Sequence, residues 1–186
     1  MNEGTQLLES GQVEEAVKLF RDGIRLAPGD EDLHYNLAIA LARLGQTAEA
    51  KKEYLEVLRL YPDYSEAHIN LGNLLAGDKQ IAEALEHYEA AARLSPENAS
   101  IQNNIGSALG RQLRTEEAVR HFLEAVRLNP GYVEARFNLA NAYLIQGRRR
   151  EAAEQFAKVL ALQPDFEPAR RALAALNQEP SRLRKK

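Results

Sequence analysis

The sequence contains no cysteine and no long apolar run. Without cysteine the chain forms no disulfide, offers no thiolate to zinc and has no thiol nucleophile. No segment approaches the roughly 18 apolar residues of a membrane-spanning helix, and residues 1–12 lack the basic and then apolar order of a signal peptide. The sequence therefore predicts a soluble protein without membrane insertion. It leaves the compartment undetermined, with the cytoplasm as the default and the periplasm as the alternative.

Patterns typical of enzymes are missing as well. The sequence has no serine nucleophile motif and no glycine-rich loop of the kind that binds phosphate. Acidic residues do not occur as a pair suited to acid–base catalysis. We therefore predict that the chain is not an enzyme and that it has no cofactor.

Charge is distributed unevenly along the chain. Residues 167–186 contain six arginines or lysines and two glutamates, whereas residues 1–166 carry a net charge of −7. Because an acidic body repels phosphate backbones, we expect no nucleic-acid partner for it. The basic end is interpreted as a solvated tail, with a docking arm for an acidic partner or an anionic lipid surface and a nucleic-acid contact as alternatives.

A repeat of 34 residues organises the sequence, as five prolines show: Pro28, Pro62, Pro96, Pro130 and Pro164. Twelve positions before each proline stands an alanine, and eight before it an aromatic ring. Apolar residues recur with helical period in two stretches of each repeat, which predicts two amphipathic helices. Such a hairpin cannot bury both apolar faces alone, so we expect neighbouring hairpins to stack.

These residues resemble the tetratricopeptide repeat (TPR) family. The pattern is carried by Leu71-Gly72, Leu75, Ala84, Tyr88 and Pro96, and by the equivalent positions of the other repeats. The resemblance implies an all-α fold, a right-handed α-solenoid of stacked antiparallel helix hairpins known as a TPR superhelix. Residues 67–73 are also similar to the superhelical repeats of O-linked N-acetylglucosamine transferases, although the catalytic domain of those enzymes has no counterpart here.

We predict one TPR array at residues 1–178 and a basic flexible tail at 179–186. The array would comprise a partial repeat (1–30), four full repeats (31–64, 65–98, 99–132 and 133–166) and a capping helix (167–178). The partial repeat is interpreted as a trimmed end or a worn cap. Two turns carry Lys79 and Leu113 where the others carry glycine, so we expect small local differences there. Asp63 and Glu66 have the spacing of a reciprocal helix cap.

The resemblance also implies that the first helices of the hairpins line a concave groove. Eight residues after the prolines stand Asn36, Asn70, Asn104 and Asn138, with Asn2 in register before them, and Asn73 and Asn141 extend this ladder three residues later. A carboxamide offers one acceptor and two donors. The ladder is therefore predicted to hold the backbone of an extended peptide. Hydrogen bonding between neighbouring helices is the alternative for these asparagines.

Positions next to the ladder are predicted to set specificity. Those seven residues after the proline supply apolar anchors, those four after supply an acidic side, and those fifteen after supply two arginines at the edge of the groove. The residues are Tyr35, Ile69, Phe137, Asp32, Glu66, Glu134, Arg43 and Arg111. Such a surface favours a ligand with apolar anchors and some basic residues. The arginines have a second interpretation, since they would also complement helix C-termini.

Two other kinds of site known from sequence patterns are not predicted. The carboxylate clamp of chaperone-binding TPR domains needs lysine and arginine where this chain has acidic, aromatic and amide residues. The histidines form two pairs of repeat equivalents, His34 with His68 and His87 with His121. The members of each pair lie one repeat apart, which is too far to share a zinc ion through bonds of roughly 2 Å.

Taken together, these patterns predict a non-catalytic module that binds a peptide segment or helix of a partner protein in its groove. We expect a monomer or a weak homo-oligomer. The alternative is a structural or assembly scaffold, capable of self-association, that is part of a larger TPR-containing protein. Light scattering distinguishes the two, because an assembly domain would dimerise as its concentration rises.

Overall fold

The computed structural model describes residues 3–178, and this part of the chain consists of eleven α-helices without a strand. Their bounds are α1 (Glu3–Glu9), α2 (Val13–Leu26), α3 (Glu31–Arg43), α4 (Thr47–Leu60), α5 (Ser65–Gly77), α6 (Ile81–Leu94), α7 (Ala99–Arg111), α8 (Thr115–Leu128), α9 (Val133–Ile145), α10 (Arg149–Leu162) and α11 (Glu167–Gln178). Asn2 and the predicted tail at 179–186 lie outside the described residues. Within residues 3–178 no helix combines the length and apolarity needed to cross a membrane.

The chain divides into two compact units, residues 1–96 and residues 97–186. The N-terminal unit contains α1 to α6, and the C-terminal unit contains α7 to α11. In each unit a first helix packs on the second helix that follows it, as α3 does on α4 and α9 on α10, and successive hairpins pack on each other. The predicted all-α solenoid of helix hairpins is therefore confirmed.

In repeats that carry a glycine on the first helix, an aromatic ring of the second helix packs closely against it. The ring of Tyr88 lies so close to Gly72 that a Cβ on this glycine would stand 2.6 Å from Cε1, and Phe122 approaches Gly106 to 2.7 Å in the same sense. Both rings are almost fully buried. Because an aromatic side chain removes a large apolar area from water, the regular spacing of rings and small residues in the sequence is a packing requirement.

The turns between paired helices share one backbone conformation, whichever residue is present. Lys79 and Leu113 have φ values of 64° and 61°, close to the 73° of Gly45. The same hydrogen bond closes each turn, from Leu113 N to the carbonyl oxygen of Gly110 at 3.0 Å and from Gly45 N to that of Ala42 at 3.0 Å. The backbone therefore keeps its left-handed residue, and Lys79 and Leu113 carry the steric cost that glycine avoids.

Helix capping differs from the prediction at α5. This helix begins after Tyr64, whose side chain makes no capping bond. The capping box predicted at Asp63 and Glu66 is therefore wrong. Asp30 does cap α3, since its Oδ1 accepts from Leu33 N at 3.1 Å. Asp63 and Glu66 are instead exposed, which leaves their carboxylates on the surface next to the start of α5.

A polar pair joins the two helices of every full repeat. Its members are nineteen residues apart: His34 and Glu53 at 2.6 Å, His68 and His87 at 2.9 Å, Gln102 and His121 at 2.8 Å, and Arg136 and Gln155 at 3.2 Å. The first member of three pairs also contacts the carbonyl oxygen of the preceding repeat proline. These three pairs link the turn before the first helix to the second helix of the same hairpin.

Candidate peptide-binding surfaces

The predicted site residues lie on the first helices, α3 and α5 in the N-terminal unit and α7 and α9 in the C-terminal unit. Most of the ladder asparagines are partly buried, and Asn73 is exposed. Apart from these amides, the two units carry different side chains on their first helices. Each unit is therefore described by itself.

In the N-terminal unit the carboxamides make one hydrogen bond or more within the protein. Nδ2 of Asn70 donates to the hydroxyl of Tyr35 at 3.0 Å, which links α5 to α3. Nδ2 of Asn36 donates to the carbonyl oxygen of Asp32 on the same helix at 2.7 Å. Oδ1 of Asn73 accepts from the hydroxyl of Tyr88 at 2.8 Å. These bonds are the structural role that the sequence left as an alternative, and they use part of each carboxamide.

Tyr35 stands at the centre of an aromatic cluster. Its ring stacks on that of Tyr64, with centroids 5.0 Å apart, and meets Tyr54 edge-on at 5.9 Å. Burial raises the pKa of Tyr35, and the negative charge of Glu66 raises it further. Burial also raises the pKa of Tyr64 to about 12, with the nearby carboxylate of Asp32 contributing. The rings therefore lie in a negative electrostatic potential.

Four carboxylates and two tyrosines form what we call the acidic tyrosine patch: Glu31, Asp32, Tyr35, Asp63, Tyr64 and Glu66. In the described part of the chain none of these carboxylates is in an ion pair. Acidic residues elsewhere do find cations, for example Glu56 with Arg59 at 2.6 Å and Glu124 with Arg127 at 2.7 Å. Beside the patch lies an open cavity of about 360 Å³, lined in part by Asp63, Tyr64 and Glu66.

In the C-terminal unit a buried asparagine that the sequence analysis did not select organises the ladder. Asn103 is 1% exposed. Its Oδ1 accepts from Nδ2 of Asn138 at 2.9 Å, and its Nδ2 lies 3.4 Å from Oε1 of Glu134. Asn103 therefore connects α7 to two predicted site residues of α9. The position of Asn103 in the repeat could have identified it, because the equivalent positions of the other repeats carry the predicted site residues Tyr35, Ile69 and Phe137.

Other predicted site residues contact parts of their own unit. Phe137 packs against Phe156 and Phe166, with ring centroids 5.7 Å and 5.1 Å away. Arg43 donates from Nη1 to the carbonyl oxygen of Leu8 at 2.7 Å. Leu8 lies at the C-terminal end of α1, where unpaired carbonyl groups attract cations. This contact corresponds to the second interpretation of Arg43, the complement of a helix C-terminus.

A cavity of about 300 Å³ lies among α7, α8 and α9, and we call it the α7–α9 cavity. Ladder residues Asn138 and Asn141 line it together with Ser107, and so does Arg111. Its apolar lining is Ala118, Phe122, Ala142 and Ile145, of which Ile145 is 74% exposed. The cavity thus combines amide groups of the ladder with an apolar wall.

The histidines are placed differently from the repeat pairs that the sequence suggested. His68 faces His87, with Nδ1 atoms 2.9 Å apart, and His34 faces Glu53. Burial lowers the pKa of His87, and the neighbouring His68 lowers it further. Within the described residues no group of three or more acidic or histidine side chains is arranged to hold a metal ion.

Comparisons with known proteins agree with the repeat pattern. Two tetratricopeptide repeat models match residues 7–76 and 103–167, and a TPR repeat model matches residues 78–112. No curated protein matches the chain. The likeness of residues 67–73 to the transferase repeats stays a prediction.

Solved TPR structures superpose on most of the chain. MamA (residues 41 to the end) from Desulfovibrio magneticus RS-1 is 28% identical, with a TM-score of 0.82 over 88% of this chain and 92% of that one. TTC0263 from Thermus thermophilus is 26% identical, with a TM-score of 0.70 over 93% and 94%. YrrB, described as a TPR protein with an unusual peptide-binding site, is 22% identical, with a TM-score of 0.78 over 91% and 87%.

Proposed function

Because the chain belongs to the tetratricopeptide repeat family, we propose that it is a non-catalytic interaction module that binds a peptide segment of a partner protein on its first helices. Repeat solenoids present extended surfaces for such contacts. The same fold carries a peptide-binding site in YrrB. The fold alone does not identify a ligand, so the chemistry of the partner has to come from the side chains of this chain.

The observation that carries the proposal is the acidic tyrosine patch. Asp32 and Glu66 stand beside the stacked rings of Tyr35 and Tyr64 without a cation from the described residues. A lysine or arginine side chain of a ligand would bind these carboxylates and at the same time contact a tyrosine ring face. The partner segment therefore contains at least one basic residue, which is what the acidic side of the first helices favours.

The ladder supplies the second contact to the ligand. Asn36 donates one N–H to Asp32, which leaves the second N–H and the side-chain oxygen for another partner. A peptide unit offers the complementary donor and acceptor. These bonds would hold the ligand backbone whatever its side chains are, while the patch selects for positive charge.

A displayed peptide library tests the proposal. Random peptides of about a dozen residues, long enough to span several repeats, are selected on the full chain, and we expect enriched sequences to contain lysine or arginine. Replacing Asp32 by Asn together with Glu66 by Gln should weaken the selected peptides by about tenfold or more, since two charge-assisted contacts are lost. Binding should weaken further as salt is added.

A matched control removes the same number of negative charges outside the acidic tyrosine patch. The double variant Glu56→Gln and Glu124→Gln removes two exposed carboxylates that pair with arginines of their own helices, and we expect it to bind the selected peptides as the parent chain does. Selection that enriches no peptide would contradict the proposed function. Equal losses in both double variants would show that only net charge matters and would contradict the role of the patch.

A further inference from the structure

We propose that the α7–α9 cavity holds one large aliphatic side chain of an extended peptide and that Asn141 binds the peptide unit beside it. The inference rests on the proposed function and adds the chemistry of a second ligand residue. The acidic tyrosine patch selects a cation in the N-terminal unit. The α7–α9 cavity would select an apolar residue in the C-terminal unit.

A ring hydroxyl that bonds to a ladder asparagine in one unit is missing in the other. Asn141 is the counterpart of Asn73, and Phe156 is the counterpart of Tyr88. The hydroxyl of Tyr88 donates to Asn73, but Phe156 has no hydroxyl to donate. Among residues 3–178 no group hydrogen-bonds to the carboxamide of Asn141. Its acceptor and both donors are therefore available to a ligand.

The lining of the cavity favours an apolar side chain of the ligand. Most of its exposed surface comes from carbon atoms of residues such as Phe122 and Ile145, and an aliphatic side chain that displaces water from this surface gains free energy. Among the described residues the one charged lining residue is Arg111, and no carboxylate lines the cavity, so it offers no counter-ion to a lysine or arginine. The volume of about 300 Å³ accommodates a leucine, isoleucine or methionine side chain.

The ladder asparagines of α9 restrict the conformation of the ligand backbone. Asn138 and Asn141 lie one turn apart on α9, so their carboxamides are on the same face. Asn138 donates to Asn103, and its side-chain oxygen accepts from no described residue. The N–H and C=O groups of a helical ligand are already paired within the helix. Amides of the ladder can therefore bind the backbone of an extended segment but not that of a helix.

A minimal probe tests the pocket directly. N-acetyl-leucine methylamide carries one aliphatic side chain between two peptide units. When it is titrated into the full chain, we expect the side-chain NH₂ signals of Asn141 in a ¹⁵N-correlated NMR spectrum to shift. The glycine analogue, which lacks the side chain, should bind at least about tenfold more weakly. Equal binding of the two probes would overturn the proposed pocket.

A variant that fills the cavity tests the pocket in the longer ligand. Gly110 lines the cavity and a Cβ on it would meet no atom within 4 Å, so we expect Gly110→Leu to place its side chain in the cavity. We expect the library-selected peptides to lose about tenfold or more in affinity. Gly77→Leu is the control, because this glycine also lies in the last turn of a first helix and its Cβ would meet no atom within 4 Å, but it belongs to the other unit.

A third variant keeps the cavity and removes an exposed apolar contact. Ile145→Ser changes a side chain that is 74% exposed, so the fold is retained, and affinity should fall by about threefold to tenfold. If the selected peptides bind Gly110→Leu and Ile145→Ser as tightly as the parent chain, the inference is overturned and the proposed function stands. A library without any binder would overturn both. If the chain without ligand forms a dimer and Gly110→Leu is a monomer, the cavity is occupied by a second copy of the chain. This result would also overturn the inference.

Discussion

The full repeats of the two units have the same helix hairpins but different aromatic residues on their second helices. Comparing them separates the effect of ring packing from the effect of the hydrogen bond that a tyrosine hydroxyl makes. In the full repeats, the second helices of the N-terminal unit contribute Tyr54 and Tyr88, whereas those of the C-terminal unit contribute Phe122 and Phe156. All four rings are buried to a similar degree. The hydroxyl of Tyr88 binds a ladder asparagine. Phe156 in the C-terminal unit cannot form this bond, and two carboxamides of that unit, those of Asn138 and Asn141, line a cavity.

The same comparison explains why the ladder cannot be assigned one role. Asn70 and Asn138 each link neighbouring first helices, through Tyr35 and through Asn103. Asn141 makes no such link within the described residues. A structural role and a binding role therefore coexist in one row of asparagines. The residues across from each asparagine decide which of the two dominates.

The largest effect should follow from disrupting a contact that both units contain, the packing of an aromatic ring against a glycine. Gly72→Val and Gly106→Val each force a side chain into the ring of their own repeat, because even a Cβ would stand within 3 Å of it. We expect each to lower the free energy of unfolding by about 2 kcal/mol or more, measured by urea unfolding. Gly110→Ala on the same helix as Gly106 is the control, since its Cβ meets no atom within 4 Å. An equal loss in all three would exclude the ring contact as the cause.

The second prediction exchanges the rings. Tyr88→Phe leaves Asn73 without the hydroxyl at 2.8 Å and should cost about 1 kcal/mol. Phe156→Tyr gives Asn141 the partner that it lacks. It should leave stability nearly unchanged and weaken the library-selected peptides by about fivefold. Thermal unfolding and fluorescence polarisation measure the two effects. Unchanged affinity in Phe156→Tyr would mean that Asn141 does not contact the ligand.

The third prediction concerns the turns, of which each unit has one with a strained residue. Lys79→Gly and Leu113→Gly remove the left-handed strain of φ 64° and φ 61°. We expect each to raise stability by about 0.5–1 kcal/mol, because the relief of strain exceeds the added entropy of the unfolded chain. Gly45→Ala is the reverse change in an equivalent turn and should destabilise. A loss of stability in Leu113→Gly would contradict this explanation.

The smallest effect should be a dependence on pH that belongs to the N-terminal unit. Burial and the neighbouring His68 lower the pKa of His87 in the folded chain, so the unfolded chain binds more protons. Stability from this pair is present above the ordinary histidine pKa of about 6.5 and is lost as the pH falls below it. His87→Gln, which pairs a histidine with a glutamine as in Gln102 and His121 but with the two positions exchanged, should flatten the pH profile between about pH 7 and 5. A profile that keeps its slope in this variant would rule out His87 as the titrating group.

Local sequence pattern was sufficient for the helices but not for their polar partners. The proline, alanine and ring spacings predict the helix hairpins. The prediction of a cap at Asp63 failed because the capping position of α5 is Tyr64, two residues after Pro62. Asp30 caps α3 because it occupies this same position, two residues after Pro28. Asn103 was not selected, since its burial depends on Tyr132 and Asn138, which follow 29 and 35 residues later.

By itself the sequence determined the repeat, the helix pairs and the positions that lie on the first helices, because apolar periodicity and proline spacing are local properties. It also determined that the N-terminal first helices are rich in carboxylates. Only the tertiary structure decided which groups are already used. Asn70, Asn138 and His87 bond to residues 19 to 35 positions away. Such bonds form only when helices pack, and packing therefore determines which carboxylates and amides remain for a ligand.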